Sequence, residues 1–234
     1  MLTLHRAALV LPDPADPTAP SHVDGAVLVR DALVEAVGPY PELAAAQPTA
    51  RVRDWGDALL GPGLRHPDGH RLLERAYHPD PREELGDAPV PDGLVGEPDE
   101  ARCGASARRG LQRMLGFGVT AVAGPFERAS VRTAVARSGL VALPGAGSAG
   151  PVGLPMVGLP PVGLSPVGLP GAVGAVWSLD PLVGLSFAEA VHGRLVVGGR
   201  ADFAVFAVAP GGDGPRAGGC RATVLGGRLV FRRR

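Results

Sequence analysis

Lysine, asparagine and isoleucine are absent from this 234-residue chain, and all 23 of its basic residues are arginine. Without lysine there is no Walker phosphate loop, no Schiff-base nucleophile and no carboxylated-lysine bridge between metals. The three missing amino acids share A/T-rich codons, so the composition reads as that of a GC-rich genome, and abundant Arg, Ala, Gly or Pro carries no functional meaning by itself. Net charge is missing too: 23 acidic residues balance the arginines, which leaves no electrostatic footprint for nucleic acid or an anionic membrane. The Arg232, Arg233, Arg234 tail reads as a solvated chain end rather than a docking patch. Cysteine is scarce. Cys103 and Cys220 lie far apart and fit reduced thiols better than a disulfide framework or a zinc site. The opening "MLTLHRAALVLPDPADP" lacks the charged start, long apolar centre and cleavage site of a secretory signal, so a cytoplasmic location is expected. Charge is also lacking from Ser138 to Leu179, long enough to span a bilayer, but Pro144, Pro151, Pro155, Pro160, Pro161, Pro166 and Pro170 interrupt it. No helix survives that spacing, and lipid does not tolerate irregular backbone, so no membrane partner is expected.

What is present alternates between strand and helix idioms. "LTLHRAALVL" reads as a strand, and "GAVLVRDALVEAVG" as a hairpin turning at Arg30-Asp31. "PELAAAQ" is a short helical piece, and "ARVRDWGDALLGPGL" a strand ending at a Gly-Pro-Gly turn. Residues 65–98, rich in Pro, Asp, Glu and His, read as a loop with one short helix, "HRLLERAY". Pro98 and acids before "ARCGASARRGLQRML", with Gly116 after it, punctuate a helix. "VTAVA", "ERASVRTAVARSG" and "LVALP" then form one strand-helix-strand unit. "GRLVVGGRADFAVFAV" and "RATVLGGRLVFR" return to strands, the latter a hairpin about Gly226-Gly227.

Other features have plain readings. "GAGSAG" at 145–150 matches a dinucleotide-binding Gly-x-Gly-x-x-Gly, but it opens a Pro-rich repeat where the ligand would need a helix N-terminus. It is read as a loop. Four copies of a Val-Gly-Leu-Pro-type unit run from Pro151 to Pro170 with no polar side chain except Ser165, so the repeat reads as a non-catalytic linker left by slippage in repetitive DNA. Trp55 and Trp177 read as core or sheet-edge residues. His192, near the end of "SFAEAVHG", reads as a cation at a helix C-terminus.

The fragments "LVEAVGP" at 33–39, "LLGPGL" at 59–64, "MLGFGVTAV" at 114–122, "GRLVVGGRADFAVF" at 193–206 and "TVLGGRLVF" at 223–231, in that order, resemble the amidohydrolase superfamily. The resemblance points to its imidazolonepropionase and aminodeoxyfutalosine deaminase branch and extends over about half of the chain. It implies an α+β fold: a composite β-sandwich built from both chain termini, holding a partial, unclosed α/β layer that is a remnant of the family's barrel. A complete barrel takes about 200 residues or more, whereas fewer than 130 positions separate Gly63 from Val191. The expected organisation is residues 1–64 as the first part of the sandwich, 65–98 as an acidic Pro-rich loop and 99–144 as the partial α/β unit. Residues 145–180 are then a repeat linker, and 181–234 complete the sandwich.

The resemblance also locates where chemistry would reside. The family's first metal motif is a His-x-His after the Pro-Gly-Leu turn; aligned on Pro62-Gly63-Leu64, this chain has Asp68 and His70 there. Aspartate ligates zinc or iron, so a metal-dependent hydrolase of cyclic carbon–nitrogen bonds would draw on Asp68, His70, His66 and His78, with Glu74 as proton carrier. The family's later histidines have no counterpart, because His78 is the only histidine between Tyr77 and Val191. The first expectation is therefore a non-catalytic scaffold or binding protein without cofactor, working with a protein partner or as a homo-oligomer. The Ala201-Asp202 pair matches a structural dipeptide of the family, whose carboxylate fixes a turn.

Overall fold

The computed structural model describes residues 1–145, 177–208 and 214–233. Its larger sheet begins with β1 (Leu2–Val10), which pairs antiparallel with β2 (His22–Arg30), and β2 pairs with β3 (Leu33–Pro39). The β2–β3 turn passes through Asp31 at φ 55, a left-handed conformation that a short polar side chain tolerates. The helix α1 (Tyr40–Ala46), with Pro41 in its first turn, then places Tyr40, Leu43 and Ala44 over Leu4, Ala26 and Leu28.

Residues 51–64 depart from the expectation of one strand ending in a turn. They form two strands, β4 (Arg51–Asp54) and β5 (Ala58–Pro62), separated at Gly56, whose φ of 62 breaks the extended run. Both strands run parallel to β1. Nor is Gly-Pro-Gly a turn. Gly61 and Pro62 belong to β5, and the chain continues through Gly63 straight into β6 (Leu64–His66), which belongs to a different sheet. A side chain at Gly63 would collide with that of Thr120, so only glycine lets the backbone cross there.

The second sheet has three parallel strands, β6, β7 (Val119–Ala123) and β8 (Val141–Leu143), one more than the sequence pattern revealed. The extra one is β6, too short to show alternation. Helices α3 (Glu100–Leu115) and α4 (Ala129–Ser138) cover this sheet, burying Leu111, Met114, Val131 and Val135 with Val119 and Val122. The Asp99 carboxylate accepts from Ala101 N–H at the start of α3, and Gly139 ends α4 at φ 82. Residues 65–98 are better packed than the loop expected of them. The helix α2 (Gly69–Glu74) buries Leu72 and Leu73, and Ala76, His78 and Leu94 have no exposed surface. The apolar residues here are too few and too scattered to give a period.

The chain ends meet in the middle of the larger sheet. After the short α5 (Phe187–Ala190), residues 193–202 lack the strand the sequence suggested there, and β9 (Phe203–Ala207) pairs antiparallel with β5. β10 (Cys220–Leu225) and β11 (Arg228–Arg232) follow as the expected hairpin, with Gly226 and Gly227 at φ 50 and 73 supplying the two positive dihedrals of such a turn. The sheet thus has eight strands in the order β11-β10-β9-β5-β1-β2-β3, with β4 beside β1, and it does not close. One apolar cluster contains Val27, Val29 and Val34 from the first chain end and Phe203, Ala222 and Val224 from the second. The smaller sheet docks onto it through Leu225 and Phe231, and Thr223 Oγ1 donates to Leu115 O at 2.6 Å. The Gly-x-Gly-x-x-Gly segment, the repeat with Ser165, and Arg234 lie outside the described residues, apart from Gly145.

Because β5 is buried along its whole length between β1 and β9, the segments before and after residues 146–176 share one core. A protease site introduced at Ser165 is expected to yield two fragments that co-elute in size exclusion without denaturant. Separation into two soluble folded pieces would contradict the β5–β9 pairing.

Candidate functional site

His66 ends β6, and the chain passes through Pro67 and Asp68 into α2, whose first turn carries His70. Gly69 is pressed against β7, where an added Cβ would stand 2.8 Å from Ala123 O. That close approach puts the start of α2 at the C-terminal end of the three-stranded sheet. His66 is 3 % exposed. Its Nε2 donates to Ser178 O at 2.9 Å, and its Nδ1 accepts from Asp68 N–H at 3.3 Å. Burial holds the imidazole below its usual pKa, against the opposing pull of Ser178 O, Asp68 and Asp180.

The remaining candidates are placed as follows. Asp68 caps α2 by position, yet its carboxylate makes no capping bond. His70 is half-buried, and its Nδ1 is enclosed without a hydrogen-bond partner. Glu74 accepts from the N–H groups of Glu127 and Arg128, the latter at 2.9 Å, at the entry to α4. There the positive end of the helix dipole favours a carboxylate, so this group ties α2 to the start of α4. His78 is completely buried against α3. Its Nε2 donates to Leu72 O at 2.8 Å, and its own N–H donates to Ser106 Oγ at 2.8 Å. A Cβ on Gly110 would stand 2.5 Å from that Nε2, so glycine in mid-helix makes room for the ring. Burial pushes the His78 pKa down to about 4.

His66, as it is hydrogen-bonded here, does not fit a metal. A ligating imidazole offers a free lone pair, whereas both His66 nitrogens are engaged with the main chain; Glu74 accepts from two main-chain N–H groups, and His78 Nε2 donates to Leu72 O while its enclosed Nδ1 has no hydrogen-bond partner. Among the described residues, no group of three or more His, Cys, Asp or Glu is placed to hold one.

Three further groups bear on the region. Asp180 is 5 % exposed and accepts from Leu182 N–H at 3.0 Å and Gly218 N–H at 2.6 Å, tying the chain beside His66 to the loop before β10. The sequence signal for it is an Asp directly before Pro181, a helix-start pattern. Asp202 accepts from Gly226 N–H at 2.7 Å, so the Ala201-Asp202 carboxylate does fix a turn, that of the β10–β11 hairpin. His192 is not a capping cation: burial, the dominant effect, lowers its pKa despite Asp202 nearby, while its N–H donates to Gly63 O at 2.7 Å. Trp55 and Trp177 each pack against an apolar cluster, as expected of core or edge residues.

No protein-family profile matches the chain. Among curated proteins, the imidazolonepropionase of Pyrobaculum arsenaticum is 36% identical over 70 residues, which cover 26% of this chain and 18% of that protein. Among solved structures, guanine deaminase from Bradyrhizobium japonicum aligns with a TM-score of 0.44 at 20% identity, covering 61% of this chain and 34% of that one. Aminofutalosine deaminase from Helicobacter pylori aligns at 0.42 and 17% identity, covering 62% and 33%. The chain therefore spans less than a fifth of the curated relative and about a third of each of these structures. It resembles the amidohydrolase superfamily. Within it, the sequence similarity is to imidazolonepropionase.

The buried histidines make stability pH-dependent. His5, between Trp55 and Phe203, is 1 % exposed, and burial, reinforced by Arg53, pushes its pKa down to about 3. His5 and His78 are thus neutral in the folded chain and charge more readily when it unfolds. Their contribution is fully present above pH 6.5 and is lost as pH falls from there toward 4 and 3. Denaturant unfolding should show a loss of about 3 kcal/mol between pH 7.5 and 5.5 from the two together. His5→Leu should roughly halve that slope; an unchanged slope would remove His5 from the account.

Proposed function

We propose that this amidohydrolase-related domain is a non-catalytic scaffold or binding protein, in which a composite β-sandwich from both chain ends carries a barrel remnant. The observation that supports this reading is His66. It stands at the strand end where a metal ligand would be needed, and both of its ring nitrogens are engaged by Ser178 O and Asp68 N–H. Glu74 is likewise occupied at the start of α4. Its working partner would be another protein or a second copy of the chain.

A second reading keeps the metal-dependent hydrolase of cyclic carbon–nitrogen bonds, with zinc or iron. It draws on the enclosed, unpartnered Nδ1 of His70 and on the Asp68 carboxylate, which is not used as a helix cap. Completion of such a site would require further ligands from another chain.

Metal analysis of the purified protein separates the two. The scaffold reading expects no stoichiometric zinc or iron and no rise in melting temperature on adding zinc. A tight site would stabilise the fold by about 4 kcal/mol at a thousandfold excess over Kd. One metal per chain, lost in Asp68→Ala or His70→Ala, would overturn the scaffold reading.

A further inference from the structure

Positive charge gathers where β4 and β11 end beside Trp55. The Arg53 and Arg232 guanidinium carbons lie 5.9 and 5.8 Å from the Trp55 ring centroid. Arg221, Arg232 and Arg233, with Asp54 and Trp55, line a cavity of about 270 Å³. Arg51 adds a further like charge, and Arg53 is held below its usual pKa by burial first and then by Arg51 and Arg232. Among the described residues, none of these five arginines has a carboxylate partner. Asp54, the acidic residue lining the cavity, is drawn away by Arg6, 3.2 Å from its carboxylate.

In a chain of zero net charge this crowding is a local arrangement, and it is held in place. Arg221 donates to Asp57 O at 2.9 Å and Arg233 to Gly218 O at 2.6 Å. The Trp55 ring carries Arg53 and Arg232 by cation–π attraction and is itself stacked on buried His5 at 6.1 Å and 18°. A guanidinium has five N–H donors, so most of those at the cavity remain unused. With two arginines over it and His5 behind it, Trp55 positions charge and offers no face for a nucleobase to stack on. Arg232 and Arg233 are exposed, as the sequence suggested, and both also line this cavity.

We propose that the cavity binds a phosphate-type oxyanion of a small ligand, held by the forks of Arg221, Arg232 and Arg233, with Arg53 adding charge from across Trp55. Concentrated unpaired guanidiniums suit planar or tetrahedral oxyanions through paired N–H donation. The site shares no residue with the His66 region, so it stands whichever reading of that region holds.

The test uses the Trp177→Phe protein, in which Trp55 is the only tryptophan, titrated with inorganic pyrophosphate at low ionic strength and at ~0.15 M salt. The expected result is a saturable one-to-one change in Trp55 emission that persists at the higher salt. Arg232→Gln should weaken binding about tenfold or more, the fold-change of losing a charge-assisted hydrogen bond. Arg137→Gln, on α4, should leave it unchanged. Without ligand, Arg232→Gln should melt no lower than its parent, because a repulsive charge has been removed. The proposal is overturned if Arg232→Gln binds pyrophosphate as its parent does, or if it melts lower, which would make Arg232 structural. It is also overturned if a single-stranded oligonucleotide binds and pyrophosphate does not compete with it.

Discussion

The pairing of β5 with β9 is the constraint on which the rest of the structure depends. Ala58–Pro62 and Phe203–Ala207 are distant in sequence, yet they lie side by side in the middle of an eight-stranded sheet, and all five β5 residues are buried. A buried strand must satisfy its N–H and C=O groups on both edges. Here one edge is β1 and the other is β9, so neither chain end can complete this sheet alone. Everything between them is in effect an insertion whose two feet are fixed. Gly63 leads out of β5 into the smaller sheet, and Gly63 O receives His192 N–H on the way back toward β9. The His66 region therefore sits directly above the junction of the two chain ends.

The sequence signals that read correctly were local. Gly226-Gly227 marks a hairpin because two successive positive φ values suit little else, and Gly116 and Gly139 bound helices whose apolar faces repeat with helical period. What did not read correctly depends on partners far along the chain. Gly61-Pro62-Gly63 has the composition of a turn, but Phe203 pairs with Pro62 and keeps it extended. His192 has the spacing of a helix cap, but α5 is only four residues long and the residue is half-buried with Asp202 nearby. The candidate ligands Asp68, His70 and His66 were legible as a cluster. The engagement of His66 was not, because the atoms engaging it belong to the main chain, and Ser178 lies 112 residues away.

Two histidines are buried for packing or for a single main-chain bond. His5 and His78 are surrounded by apolar side chains and helix backbone, and both stay neutral because their environment offers no counter-charge. Such a group can hydrogen-bond to a carbonyl, as His78 does with Leu72, or simply fill space, as His5 does against Phe203. The first use depends on close approach by a small residue. Gly110 provides it for His78, which explains a glycine in the interior of a helix where it would otherwise weaken the structure.

Arginine takes the structural duties that lysine and asparagine share in most chains. Arg109 donates to His78 O at 2.7 Å and Arg113 to Pro79 O at 3.0 Å, supplying two carbonyls of the 65–98 segment with partners that segment lacks. Arg65 reaches Glu189 O and Arg200 reaches Gly139 O, each joining segments distant in sequence. A long, permanently charged fork is suited to this, because it satisfies a distant carbonyl while its remaining donors stay hydrated. Against that pattern the group at Trp55 differs in kind. Neither Arg53 nor Arg232 closes a loop or meets a carboxylate; both rest on an aromatic ring that is itself held by a buried histidine. Repulsion between them is offset by attraction to the Trp55 ring and screened where the side chains meet solvent.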